Sequence, residues 1–203
     1  FDLPENEVFE DLAPRLVQLG AGEAPLLLSI VSSRSAGARL VLLGLHEGAL
    51  RVRAQSAAVG TPMRWLNPVA VADLDGDGRA EVAAVITPHI GGILTAYRLE
   101  QDRLEPLARA RGFSNHEYGS PELALSLALP IAGRMHLLVP DRARTQLRVM
   151  ALDTTAQGVQ WIERGRCTLP APLTGGMVAD VAGGVSMLLQ GQRHTLHPAG
   201  CIR

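Results

Sequence analysis

Val69-Ala70-Val71-Ala72, Asp73-Leu74-Asp75-Gly76-Asp77-Gly78-Arg79-Ala80-Glu81 and Val82-Ala83-Ala84-Val85-Ile86 follow one another without interruption. Two short apolar segments flank an acidic, glycine-bearing turn. The flanks are too brief for helices, are rich in branched residues and are bounded by turns, so the segment predicts a β-hairpin. Three other windows have the same form. Leu16–Leu19, Leu125–Leu129 and Met177–Ala179 each precede a Gly-containing turn, and Pro25–Val31, Arg134–Val139 and Val185–Gln190 follow it. A hairpin recurring about every 50 to 56 residues has the period of a propeller blade rather than of a leucine-rich or ankyrin repeat.

The first three hairpins are followed by further strand-like pieces: Arg39–Leu45 and Leu50–Ala54, Gly92–Leu99 and Arg103–Ala108, Gln146–Leu152 and Gly158–Ile162. Inner pairs read as nearly continuous Leu, Val and Ala, and outer pairs alternate with Arg, Glu and Gln. That gradient is expected where inner strands are covered on both faces and outer strands meet water. The expected fold is therefore all-β: a β-propeller, or part of one, built of four-stranded blades with approximate units 15–56, 65–110, 122–165 and 172–198. A two-sheet β-sandwich is the alternative. The fourth unit ends near His197 and needs a partner strand at its outer edge. A first residue of Phe rather than Met, with so few units, leads to the expectation of strands before Phe1 or of another chain that completes the ring.

Within the acidic turn, carboxylates stand at positions 1, 3, 5 and 9. A loop wrapped around a hard cation turns alternate side chains inward, which suits the six to eight oxygens that Ca²⁺ takes. Asp73, Asp75 and Asp77 fit that spacing. Gly78 supplies the sharp turn, Arg79 offers its backbone carbonyl with its side chain outward, and Glu81 closes the shell. An EF-hand is excluded, because its twelfth position would be Ala84 and its flanks would be helices. An acidic hairpin that binds no metal is the plain alternative. Without a cation the carboxylates should repel one another, so ion binding is expected to order the turn.

The run from Val71 to Val82 resembles the FG-GAP, or VCBS-type, repeat of integrin-like β-propellers and of many secreted bacterial proteins. Trp65-Leu66-Asn67-Pro68 and Gly112-Phe113-Ser114-Asn115-His116 are similar to segments of proteobacterial proteins that carry such repeats. The resemblance implies a calcium ion between two strands of a blade. Only this turn has the carboxylate set; Gly20–Glu23, Pro130–Gly133 and Asp180–Gly184 lack it, so one ion per chain is expected.

Composition narrows the rest. The 203 residues are 47% hydrophobic and 19% charged with a net charge of −1, which is globular. No run of like charges marks a nucleic-acid footprint, and no apolar run is long enough for direct membrane insertion. Every basic residue is Arg, so there is neither a lysine Schiff base nor a P-loop lysine. Cys167 and Cys201 either form a disulfide or stand as two thiols. Catalytic residues are not expected; were the chain an enzyme with a pocket at the channel mouth, His89, Asn115, His116 and Glu117 would be its candidates. The leading expectation is a calcium-stabilised module outside the cytoplasm, periplasmic or secreted, that joins a protein partner or larger assembly. An accessory subunit of a membrane complex is a further possibility.

Overall fold

A computed structural model of the chain describes residues 1–202 and is all-β, with one short 3-10 turn at Pro198–Cys201 and no α-helix among the described residues. No helix among the described residues is long and apolar enough to cross a membrane. Among the described residues, sixteen strands form three sheets. The first holds β1 (Glu7–Phe9), β2 (Arg15–Val17), β3 (Leu26–Ser33), β4 (Gly37–His46), β5 (Ala49–Ser56), β6 (Leu66–Ala72), β7 (Glu81–Ile86), β8 (Gly92–Glu100) and β9 (Arg103–Phe113). The second is β10 (Leu127–Ile131), β11 (Arg134–Pro140), β12 (Gln146–Thr155) and β13 (Gly158–Thr168). The third is β14 (Leu173–Ala179), β15 (Val185–Leu189) and β16 (Gln192–Leu196).

Sequence neighbours pair antiparallel within four groups, β2–β5, β6–β9, β10–β13 and β14–β16, each a simple meander. The first two groups of strands are not separate, however. β5 and β9 run parallel and pair at Gln55–Arg103 and Ser56–Leu104, which fuses them into one curled nine-stranded sheet. β1 is an addition that the sequence pattern did not suggest; it lies along β3 from Glu7–Ser33 to Phe9–Val31.

Alternation along the inner strands places the core. On β7, Val82 and Ala84 join a cluster with Leu28, Ile30, Leu40 and Leu42, whereas Ala83 and Val85 join one with Leu137, Val139 and Met150. Both faces of the strand are thereby covered, as its continuous apolar sequence requires. β11 repeats the device: Leu137 and Val139 look toward the second group of strands, and Leu138 packs with Val185, Met187 and Leu189 of the last. Each fully buried Leu, Ile or Val contributes about 1.5–3 kcal/mol relative to exposure, and these residues tie successive meanders face to face in chain order. β10 also packs against β6 and β14.

Two local constraints hold the edges. Cys167, near the end of β13, forms a disulfide with Cys201, with Cα atoms 5.2 Å apart. Gly165 makes that approach possible, because a Cβ there would lie 1.9 Å from the carbonyl oxygen of Cys201.

Candidate metal centre and the neighbouring histidine pocket

The acidic turn joins β6 to β7, and the β6–β7 register brings Ala72 opposite Glu81. Asp73 organises it. Its Oδ1 accepts the Gly76 N–H at 2.8 Å and its Oδ2 accepts the Gly78 N–H at 3.0 Å. Asp75 and Asp77 accept N–H groups two residues ahead, from Asp77 and Arg79. Such bonds are the reason Asp is favoured in turns. Gly76 and Gly78 have φ of 85° and 89°, values that require glycine here. In the fourth meander Asp180 makes a simpler turn of the same kind, its Oδ1 accepting from Ala182 and Gly184.

Asp73, Asp75 and Glu81 each present a carboxylate oxygen within 4.8 Å of the others, a group that could hold a metal ion. Asp77 stands apart from that trio and is partly exposed. The Arg79 side chain points outward, as expected, to the Leu99 carbonyl at 2.9 Å and to Glu100 at 3.4 Å.

One residue absent from the sequence reading dominates the cluster. Val82 pairs with Tyr97, so the next cross-strand position sets Arg98 of β8 beside Glu81. The Arg98 guanidinium donates to Glu81 through Nε at 3.0 Å and again through a terminal nitrogen, to Asp75 at 2.9 Å, and lies 3.1 Å from Asp77 Oδ2. Glu81 is fully buried, and its second oxygen accepts the Leu74 N–H at 2.9 Å. Burial pushes the Glu81 carboxyl above its usual range, against the pull of Arg98 and the Leu74 N–H. Burial also opposes the charge on Arg98, yet Glu81 and Asp75 outweigh it and hold the guanidinium protonated. The turn thus carries an organic counter-cation from its own sheet, which the sequence reading did not include. Four carboxylates against one guanidinium still leave three negative charges, and the donor set of hard carboxylate oxygens suits a hard cation.

A second constellation lies at the other end of the same strands. Gly92 pairs with Phe113, and three residues beyond each end His89 and His116 meet, with Nε2 of His89 2.7 Å from Nδ1 of His116. Trp65 stacks nearly parallel to His89 and meets the His116 ring edge-on at 4.8 Å, and Tyr118 lies edge-on to His89 at 5.4 Å. Burial pushes both imidazoles below their usual range.

The other two residues named with them go elsewhere. Asn115 is fully buried and sews meanders together: its Nδ2 donates to the Asn67 carbonyl at 3.2 Å, while Asn67 donates back to the carbonyls of Asn115 and Leu123. Glu117 pairs with Arg144 at 3.0 Å. Of the four, the two histidines are the side chains that the fold brings into contact. Compared with protein-family models and with curated proteins, the chain matches none.

Proposed function

We propose that the chain is a non-catalytic binding and assembly module, a partial β-propeller whose second blade is clamped by Ca²⁺. The observation that carries this reading is the convergence of Asp73, Asp75 and Glu81 oxygens within 4.8 Å at the hairpin turn. Asp77 and the Arg79 carbonyl are the remaining donors, and the three uncompensated charges favour a divalent ion over a second guanidinium. The propeller reading is supported by the face-to-face packing of successive meanders in chain order. The assembly role is supported by apolar side chains on inner strands that nothing among the described residues covers, Leu16 at 72% and Val178 at 69% exposure. Calcium loops of extracellular modules work at about 10⁻⁴ to 10⁻³ M, and the disulfide is at home in an oxidising compartment, so we place the module in the periplasm or outside the cell.

Calcium titration followed by thermal melting tests the clamp. A specific site stabilises by about 2.7 kcal/mol at one hundred times its dissociation constant, so the melting temperature should rise through millimolar Ca²⁺ and the rise should vanish in Asp75→Ala. A melting temperature indifferent to Ca²⁺ in the unsubstituted chain overturns the clamp and leaves Arg98 as the turn's sole counter-charge.

A further inference from the structure

The histidine pair fixes its own protons. Nε2 of His116 lies 2.9 Å from the Ser120 carbonyl, which can only accept, so that nitrogen carries the hydrogen. Neutral His116 then has a bare Nδ1, and Nε2 of His89 must donate to it across 2.7 Å. Nδ1 of His89 is left as a bare acceptor, without a hydrogen-bond partner among the described residues. His89 lines a cavity of about 510 Å³, a size suited to a small molecule, whose walls also include Trp65, His116, Tyr118 and Leu123.

The walls also state a charge preference. Glu10 is the one formally charged residue lining the cavity; one of its oxygens accepts from Ser32 Oγ and the other is free of bonds among the described residues. Arg144, whose charge acts on both imidazoles, is paired with Glu117, and Glu122 also acts on His116. The indole N–H of Trp65 is buried, and the residue contributes to the cavity wall beside His89 and His116. Aromatic faces attract cations, Trp most strongly. Two of the chain's seven aromatic residues are gathered at this one opening.

We propose that this cavity binds a small organic ammonium ion, which donates an N–H to Nδ1 of His89 and rests its charge against the Trp65 and Tyr118 rings beside Glu10. The site is independent of the metal clamp and needs no ion for its geometry. The ligand must carry both a positive charge and a hydrogen on nitrogen, a combination that separates it from quaternary ammonium ions, phenols and carboxylates.

Butylamine titrated at neutral pH into the Trp161→Phe chain, with Trp65 as the only tryptophan and excited selectively over tyrosine, tests the assignment. Butylammonium should perturb Trp65 emission saturably. Tetramethylammonium, which lacks the N–H, should bind about tenfold more weakly, as should butylammonium to His89→Ala or Glu10→Gln. Tighter saturation by phenol or by butyrate overturns the proposal, as does an unresponsive Trp65. Should a variant fail to fold, long-range ¹⁵N–¹H NMR of the imidazoles in the unsubstituted chain still decides: a hydrogen on Nδ1 of His89 removes the acceptor and the proposal with it. These readouts contain no calcium, so their failure and that of the clamp are distinct.

Discussion

Arg98, on β8, lays its guanidinium across the buried carboxylate of Glu81, on β7, and from the same position reaches Asp75 and Asp77. Removing one member of such a pair strands the other charge in the interior, which costs about 3–5 kcal/mol. Arg98→Met should therefore lower stability in urea by about 3 kcal/mol. Glu81→Gln in the same chain should recover part of that loss, because the one fully buried carboxylate is then neutral; losses that simply add would show the two residues to be uncoupled.

The histidine pair gives the protein an acid-sensitive seam. Burial above all holds the folded imidazoles below the ordinary value of 6.5, aided at His89 by His116 and then Arg144, and at His116 by Arg144 against the pull of the Ser120 carbonyl. The unfolded chain then takes up protons that the folded chain refuses, so stability is complete above pH 6.5 and falls as pH drops through that value toward the folded pKa. Urea midpoints between pH 8 and pH 5 should decline below about pH 6.5, and His116→Gln should flatten the decline. An unchanged slope in the variant would assign the acid sensitivity to other groups.

Closure of the Cys167–Cys201 loop, over a sequence separation of 34 residues, removes freedom from the unfolded chain. The chain-entropy relation gives about 3–4 kcal/mol for a loop of this size. Cys201→Ser should lose about that amount in denaturant. Hydrogen exchange should accelerate first in β14–β16, the strands inside the loop.

Gly92 has no room for a side chain. A Cβ there would lie 2.2 Å from the Phe113 carbonyl oxygen and 2.6 Å from a Val85 methyl. Gly92→Ala should cost about 1–3 kcal/mol through overpacking. Since the displaced end of β9 leads into the loop that holds His116, Trp65 emission should change as well.

The strands were legible because their apolar runs are continuous and their turns carry glycine, and the acidic turn announced itself by spacing alone. What escaped needed pairing register. β1 has only three residues, with little alternation to mark it. Arg98 is 17 positions from Glu81 in sequence, and only the Val82–Tyr97 pairing sets it beside that carboxylate. His89 and His116 read as scattered until Gly92 is placed against Phe113, after which both fall three residues past the same rung. Asn115 looked like a candidate for chemistry, but its polar atoms serve the neighbouring backbone, a use that its sequence position beside His116 disguises.

The bond between Cys167 and Cys201 spans the entire last meander, leaving β14, β15 and β16 within a closed covalent ring. Tension entering the chain beyond Cys201 passes through sulfur directly to the end of β13, which is anchored along the whole length of β12. The three enclosed strands are bypassed and can yield, breathe or be remodelled without slackening the mechanical path through the rest of the molecule.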